Sequence, residues 1–573
     1  MRWRKRRIIH EIAPDEIFLD SSNLPEHNTG QFEGRVARPV SFRSIIGIGF
    51  VFLAIITLFA YRAFSLGVLD GAKYAHISEN NTFDKRILFA TRGVIFDRTG
   101  LQIAWNEAQI ATTSLHMATS TDQRGIYALR EYSPLDGLSH LVGFTRYPKA
   151  DSAGEWWREE YSGVAGVELS FDEALRGVNG NTITERDALG TVLRQNIVDP
   201  PVNGTDLTLA IDAEMQNKLF TTLHAHANRN GFRGGAAVIM DVRTGEVLAL
   251  TSFPEYDSQA YTDGNNAHVA AMTKDARTPL LNRAVSGLYT PGSIVKPIFA
   301  IAALNEKIIS PEKEIHSVGA LTLPNPYDPS KPSIFRDWTV HGWVDMRTAI
   351  AVSSDEYFYV IGGGFQGQKG LGIAKIDEYS KRFGLEDPTG IDLKGEVRGV
   401  IPTPEWKARI FGPDDPWRIG NTYHTSIGQY GFQISPLQAV RFTAAIANGG
   451  KLLKPQLVAS STAEYTEIGI PDEYLQVARE GMRLAVTSKR SDATVKSLYL
   501  AGIEIAAKTG TAQLGSRNEY MNSWSVGFWP ASNPKYAYAV VLEHAPAGTM
   551  SGAAPGLQSF FQWLVAEKPE YVK

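Results

Sequence analysis

The stretch YTPGSIVKPIFAIAALNE (289–306) decides the fold and contains the strongest candidate for a reactive side chain. A Pro-Gly turn precedes Ser293, and the run IFAIAALNE that follows has the apolar character of a buried helix. Ser293 is therefore predicted at a helix N-terminus, where free backbone N–H groups stabilise developing negative charge. Lys296 lies one turn further along the same face. A neutral lysine amine there can remove the serine proton, which gives an activated nucleophile without histidine.

The S-x-x-K pattern is weak evidence by itself, because about two matches are expected by chance in a chain of 573 residues. Ser310 and Lys313 form a second match, but Pro311 follows that serine directly in a charged stretch, which predicts a surface loop. The alternative for Ser293 is an N-capping serine followed by a solvated lysine.

Two further short motifs follow in the chain. Ser353-Ser354-Asp355 lies in AVSSDEYFYV, which we predict as a helix, and Lys508-Thr509-Gly510-Thr511 comes at the end of an alternating strand. Gly510 permits a close approach of backbone and ligand, while the two threonine hydroxyls and Lys508 can hold a carboxylate. Each motif alone could be an ordinary helix surface or strand end, but the three together favour one site.

The order of the elements predicts an α+β fold. Strand-like segments occur near both ends of the region after residue 203, and helices and loops fill 293–490 between them. The predicted strands are AAVIMD (236–241), EVLALTS (246–252), IEIAAKTG (503–510), SVGFWP (525–530) and YAYAVVLE (536–543). This arrangement predicts an antiparallel sheet assembled from both ends of the domain, together with a helical lobe.

The N-terminal part predicts a single membrane-spanning helix over 44–66. Residues 45–61 carry no charge, and a spanning helix needs about 20 apolar residues. The helix can continue past Arg62 because a long arginine side chain can extend its charge towards the membrane interface. Basic residues concentrate before residue 44, which places a tail over 1–43 in the cytoplasm and the remainder outside. The run is too long for a cleaved signal peptide.

The bulk composition excludes several classes of function. A formal net charge of −4 gives no reason to expect nucleic acid as a partner. The absence of cysteine excludes disulfides, thiolate metal sites and cysteine nucleophiles. Asp337, His341 and Asp345 suggest a possible metal cluster, but one histidine without cysteine falls short of a zinc set. We therefore expect no metal and no cofactor.

The three motifs and several longer stretches resemble the class B, monofunctional penicillin-binding proteins, whose motifs are S-x-x-K, S-x-N or S-x-D, and K-[TS]-G. The likeness covers about residues 70–565. It is carried by RGVIFDRTGLQIAW (92–105), GVAGVELSFDEALRGVNG (163–180), DVRTGEVLAL (241–250), NRAVSGLYTPGSIVKP (282–297), IGQYGFQISPLQAVRFTAAIANGG (427–450) and MNSWSVGFWP (521–530).

The resemblance implies a peptidoglycan DD-transpeptidase that is acylated by β-lactams. It implies that the serine at 293 attacks the penultimate D-Ala carbonyl of a stem peptide. It also implies that an amine on a neighbouring peptidoglycan strand receives the acyl group. The implied roles are base (Lys296), proton relay (Ser353), hydrogen-bond partner of the base (Asp355), carboxylate binding (Lys508, Thr509 and Thr511) and oxyanion binding (backbone N–H of Ser293 and Thr511), with Gly510 part of the substrate site. Repulsion between the two lysines favours the neutral amine that the base requires.

The resemblance also implies the domain organisation and partners. We expect a β-rich pedestal over 67–202 and a transpeptidase domain over 203–573. The S-x-D motif and YAHISENN (74–81) resemble the elongation-type branch, which implies a membrane glycosyltransferase and other wall-elongation proteins as partners. Only about forty residues separate RGVIFDRTG from HLVGF (140–144), which predicts a reduced head on the pedestal.

Other functions remain open from sequence. A DD-carboxypeptidase or β-lactam-hydrolysing enzyme would use the same motifs with water as acceptor. A penicillin-sensing receptor would need an intracellular effector, which a tail of 43 residues does not supply. A non-catalytic scaffold of the wall-synthesis complex would not need the intact serine and lysines.

Overall fold

The computed structural model describes residues 41–74, 83–107, 127–186, 192–325, 328–459 and 462–573. The chain separates into two compact units. The first comprises residues 1–84 and 185–194, and the second comprises residues 85–184 and 195–573.

The described part of the first unit contains a long apolar helix, α1 (Phe42–Phe64). Ser41 caps it by accepting a hydrogen bond from the backbone N–H of Ser44, and a short π-helical segment, Ser65–Leu69, continues it. The combined segment is 28 residues long and none of its apolar window is buried. The helix is thus long and apolar enough to cross a membrane, and it extends slightly beyond the predicted 44–66 at both ends.

Residues 83–208 are rich in short strands, and β1, β9 and β10 each include residues of both units. The sheets have the orders β1-β9-β10 and β11-β2-β3-β4, with two further hairpins, β5-β8 and β6-β7. The strands are β1 (Phe83–Leu88), β2 (Ile95–Phe96), β3 (Gln102–Glu107), β4 (Leu129–Tyr132), β5 (Thr145–Arg146), β6 (Lys149–Ala150), β7 (Trp156–Arg158), β8 (Ser162–Gly163), β9 (Gly180–Arg186), β10 (Val192–Asp199) and β11 (Leu207–Thr208). Three short helices accompany them, α2 (Ser139–Val142), α3 (Gly166–Ser170) and α4 (Asp172–Arg176). Much of the segment on which the reduced head was predicted, 108–126, lies outside the described residues.

A buried ion cluster holds this strand-rich part together. Glu168 accepts from Arg92 at 2.5 Å and from Arg130 at 2.8 Å, and all three side chains have no exposed surface. Because isolated charges are costly to bury, Arg130 depends on Glu168 for its counter-charge, whereas Arg92 also pairs with Asp172 at 2.8 Å.

The remainder of the second unit combines a large sheet with helices. Its strands are β12 (Gly234–Asp241), β13 (Val247–Phe253), β14 (Ile315–Ser317), β15 (Ala320–Leu323), β16 (Ser333–Arg336), β17 (Gly342–Val344), β18 (Lys451–Leu453), β19 (Tyr465–Glu467), β20 (Ala506–Leu514), β21 (Tyr520–Trp529) and β22 (Tyr536–Pro546). Its helices are α5 (Ala213–Arg229), α6 (Ser258–Thr262), α7 (Asn266–Lys274), α8 (Lys296–Asn305), α9 (Met346–Val352), α10 (Asp355–Gly363), α11 (Gly372–Arg382), α12 (Pro404–Phe411), α13 (Ile419–Ser426), α14 (Pro436–Ala447), α15 (Asp472–Thr487), α16 (Ala553–Gly556) and α17 (Gln558–Glu567).

The five-stranded sheet has the order β13-β12-β22-β21-β20, and all of its neighbouring strands are antiparallel. The prediction of a sheet assembled from both ends of the domain is therefore confirmed. Residues on both faces of β12 and β13 are buried, which explains their nearly continuous apolar sequences.

Helix α8 lies in the centre of the helical lobe. Nine of its ten residues, including Lys296, are buried, so the segment IFAIAALN is apolar on every side because every side contacts the core. Helices α9, α10, α11 and α15 pack against it. This burial fixes the position of the residues at the N-terminus of α8.

Candidate active site

Ser293 lies in a single 3₁₀ turn, Gly292–Val295, that leads directly into α8. Gly292 has a positive φ of 56°, and its N–H donates to the carbonyl of Gly428 at 3.0 Å. The indole of Trp524 donates to the carbonyl of Thr290 at 3.0 Å. These bonds hold both the incoming chain and the turn, so the serine is presented at a helix N-terminus.

The amine of Lys296 is buried and makes three contacts with the second motif. Its Nζ donates to the Ser353 carbonyl at 2.7 Å and to Oδ1 of Asp355 at 2.6 Å, and it lies 3.4 Å from Oγ of Ser353. The ring of Phe358 faces the same amine, with its centroid 5.3 Å away. Burial raises the pKa of Asp355, while the charge and hydrogen bond of Lys296 oppose that rise.

The second motif lies at the junction between two helices rather than within one. Ser353 ends α9 in the left-handed conformation, with φ of 58° and ψ of 39°, and Ser354 caps α10, which begins at Asp355. The prediction of a continuous helix was wrong because the left-handed residue turns the chain between α9 and α10. A non-glycine residue in this conformation costs about 1–3 kcal/mol and persists only where surrounding contacts enforce it.

The third motif lies within β20, which continues to Leu514 instead of ending at Gly510 as predicted. Gly510 does not stop the strand because it pairs opposite Trp524 in the antiparallel ladder. The Nζ of Lys508 is buried and donates to Oγ of Ser353 at 2.7 Å and to the carbonyl of Thr509 at 2.8 Å. Burial, and secondly repulsion from Lys296, lower the pKa of Lys508 well below its ordinary value. The lowered pKa expected where two lysines converge is thus found on Lys508.

The strand and the nucleophile turn are in close contact at Gly510. A Cβ at this position would lie 2.6 Å from the carbonyl oxygen of Pro291 and 2.9 Å from Cγ2 of Ile294. Likewise, a Cβ on Gly292 would lie 2.7 Å from the Thr511 carbonyl oxygen. Glycine at these positions lets the backbone N–H groups of Ser293 and Thr511 come into one region.

The side chains on the strand differ in exposure. Lys508 is buried, Thr509 is half-buried and Thr511 is exposed. Because side chains two residues apart share a face of a strand, the two threonine hydroxyls lie on one side of β20. The strand thus carries the two threonine side chains on one face and the buried amine of Lys508 on the other.

Of the charged residues considered as metal ligands, Asp337 and His341 lie together, whereas Asp345 is engaged elsewhere. Asp345 accepts from the N–H of Thr348 and caps α9. Asp337 instead accepts from Ser354, and His341 lies between Asp337 and Asp492. Within the described ranges, no group of three or more histidine, aspartate or glutamate side chains has the geometry to hold a metal ion. The residues present therefore do not fit a zinc site.

Sequence reasoning missed Asp492 and the role of Asp337. Burial raises the pKa of Asp337, but the neighbouring His341 and the charge of Lys296 outweigh this and lower it to about 2. Asp492 follows α15 and lies 151 residues from His341 in the chain. No local pattern in the sequence indicates that pairing.

Comparisons with known proteins agree with this arrangement. The penicillin-binding protein transpeptidase domain model matches residues 235–560, and the penicillin-binding protein dimerisation domain model matches residues 125–209. The peptidoglycan D,D-transpeptidase MrdA of Haemophilus influenzae is 31% identical over 465 residues, which are 75% of this chain and 68% of the relative.

Two solved structures share the fold. The complex between PBP2 and MreC from Helicobacter pylori matches with a TM-score of 0.67 and 25% identity, covering 85% of this chain and 99% of that one. A structure described as a peptidoglycan synthase complex that coordinates polymerization and crosslinking matches with a TM-score of 0.68 and 25% identity, covering 92% and 99%. The chain therefore belongs to the penicillin-binding protein transpeptidase family.

Proposed function

We propose that this chain is a peptidoglycan D,D-transpeptidase of cell elongation, acylated at Ser293 by stem peptides and by β-lactams. One observation carries the assignment of the site. Ser353 is hydrogen-bonded to the amines of both Lys296 and Lys508, and the strand bearing Lys508 is in contact with the turn that bears Ser293. Three distant stretches of chain thereby form one site with a nucleophile, two amines and a carboxylate.

Acylation begins when Ser293 Oγ attacks the carbonyl carbon of the penultimate D-Ala. Its proton passes to the amine of Lys296, and the backbone N–H groups of Ser293 and Thr511 bind the oxyanion. A single such donor contributes about 3–4 kcal/mol in other enzymes. The C–N bond to the terminal D-Ala then breaks, and the leaving amine takes up the proton held by Lys296, relayed through Ser353. The acyl group is now an ester of Ser293.

The carboxylate of the terminal D-Ala is bound by the hydroxyls of Thr509 and Thr511, with the amine of Lys508 behind them. Support for this role comes from the exposure of Thr511 beside the serine and from the burial of Lys508 beneath it. In the second half-reaction an amine on a stem peptide of a neighbouring glycan strand attacks the ester carbonyl. The attacking amine gives up a proton to Lys296, which passes it to the leaving Oγ of Ser293, and the new amide bond completes the cross-link.

The membrane arrangement follows from the apolar helix and the basic N-terminus. We infer one span in the cytoplasmic membrane, a cytoplasmic N-terminus, a pedestal over 67–202 and a transpeptidase domain over 203–573 outside. The partners we propose are a membrane glycosyltransferase and proteins of the elongation machinery, because the similar structures include a complex with MreC and a peptidoglycan synthase complex.

Intact-protein mass spectrometry after exposure to penicillin tests the assignment. The full chain in detergent should gain the mass of one penicillin, and Ser293→Ala should gain none. Acylation that persists in Ser293→Ala would overturn the choice of nucleophile. Loss of the adduct within minutes would favour the alternative, a carboxypeptidase or β-lactam-hydrolysing enzyme. A non-catalytic scaffold would form the adduct yet never cross-link added glycan strands, as analysed by muropeptide separation.

A further inference from the structure

The turn from Ser353 to Glu356 divides its side chains between two surroundings. Ser353 and Asp355 contact the catalytic amine of Lys296. Ser354 and Glu356 point the other way and bond to the loops of the β14–β17 region. Because the same turn carries both sets, any displacement of the outer side chains also moves the catalytic ones.

The carboxylate of Asp337 is the centre of the outer set. Its Oδ2 accepts from Oγ of Ser354 at 2.8 Å and from the backbone N–H of Glu356 at 2.9 Å. Its Oδ1 accepts from the N–H of Trp338 at 2.8 Å, and the indole of Trp338 donates to the carbonyl of Val352 at 3.2 Å. Asp337 and its neighbour therefore hold the chain on both sides of Ser353, the residue in the strained left-handed conformation.

A second layer holds Asp337 in place. Nε2 of His341 lies 3.5 Å from Oδ1 of Asp337, and Nδ1 of His341 lies 2.8 Å from Oδ2 of Asp492. Arg490 donates to both oxygens of Asp492 and to the carbonyl of His341. The side chains of Asp337 and His341 have no exposed surface. The imidazole of His341 thus lies between the carboxylates of Asp337 and Asp492. A zinc site would instead need these side chains to point at one common centre.

We propose that Asp337 is a positioning residue for acylation: supported by His341 and Asp492, it fixes Ser353 and Asp355 against Lys296 without a metal ion. The proposal rests on the proposed function, since it concerns the rate at which Ser293 is acylated. It goes beyond that function because it assigns the orientation of the catalytic turn to three polar side chains, Asp337, His341 and Asp492, that follow one another behind that turn.

The test is the acylation rate of the full chain in detergent by a fluorescent penicillin, with the final number of labels per chain measured separately. Asp337→Ala should lower the maximal rate constant by about tenfold or more, because small misplacements of catalytic groups reduce rates by one to two orders of magnitude. Labelling should still reach one per chain, and the penicillin concentration for half-maximal rate should change little. Asp337→Asn keeps one acceptor oxygen and should recover part of the loss.

A matched control is Asp345→Ala. This aspartate lies in the same segment and caps α9 through the N–H of Thr348 at 2.8 Å. Loss of the cap should lower thermal stability but leave the rate constant unchanged. If Asp337→Ala fails to fold, His341→Gln decides, with an expected loss of about threefold or more at full labelling.

Three results would overturn the proposal. The first is a wild-type rate constant in Asp337→Asn, Asp337→Ala and His341→Gln. The second is a loss of labelled chains with an unchanged rate constant in those that remain, which would mean a structural role only. The third is about one equivalent of zinc in the purified chain that is absent from Asp337→Ala. A wild-type chain that is not acylated at all would instead refute the proposed function, so the two failures are distinguishable.

Discussion

Gly510→Ala should impair acylation because the added methyl group separates strand β20 from the nucleophile turn. The new Cβ would lie 2.6 Å from the Pro291 carbonyl oxygen, whereas ordinary contact begins at 3.4 Å, so the two segments must separate by about 0.8 Å. An oxyanion hydrogen bond of about 2.9 Å at Thr511 would lengthen to about 3.7 Å, beyond the range of a useful hydrogen bond. Loss of one such donor costs about 10²–10³-fold in rate.

The assay for this substitution is the second-order rate constant for penicillin acylation. We expect a decrease of about 100-fold or more in Gly510→Ala. The matched control is Gly235→Ala on β12, where a Cβ would lie 2.5 Å from the Val541 carbonyl oxygen in the same sheet, three strands from β20. That variant should lose stability but keep its rate constant. Gly510→Ala that is acylated as fast as the wild type would refute the argument that this contact sets the oxyanion site.

Three further predictions concern charge. Glu168→Ala leaves the buried guanidinium of Arg130 without its carboxylate and removes one of the two that Arg92 contacts, so it should lower the free energy of unfolding by about 3–5 kcal/mol; a denaturant titration showing less than about 1 kcal/mol would contradict the role of the cluster. Burial raises the pKa of Glu255 from 4.5 to about 7, so the folded state binds more protons between these values and this group's contribution to wild-type stability should fall as the pH rises from 4.5 to about 7. Thermal melts of Glu255→Gln should show a weaker dependence, and an equal slope would argue against this titration. Asp355→Asn removes the carboxylate 2.6 Å from Nζ of Lys296 that favours its charged form, so the acidic limb of the acylation pH profile should move to lower pH; an unmoved limb would count against Lys296 as the base.

Local sequence patterns predicted much of the fold. The apolar run in 44–66 predicted the long helix, and the apolar segments 236–241 and 536–543 predicted strands of the central sheet. The Pro-Gly turn before Ser293 predicted a helix start at the nucleophile. These features are local because helix and strand periods, turn residues and apolar length act over a few neighbouring residues.

Predictions that depended on the ends of elements were less accurate. Ser353 breaks what the sequence favours as one helix, and β20 continues through Gly510. In both places long-range contacts override local preference. The turn at Ser353 is held by Asp337 from another segment, and Gly510 is held extended by its pairing with Trp524.

The sequence by itself determined the family, the three motifs and the residue types that a serine acyltransferase needs, because these are properties of short stretches. Only the tertiary structure decided which groups share an environment. It brought Asp492 to His341 across 151 residues and placed the amine of Lys508 against Ser353 rather than in the open site. The physical reason is that the energy of a charge depends on burial and on its neighbours in space, and neither can be read from positions along a chain.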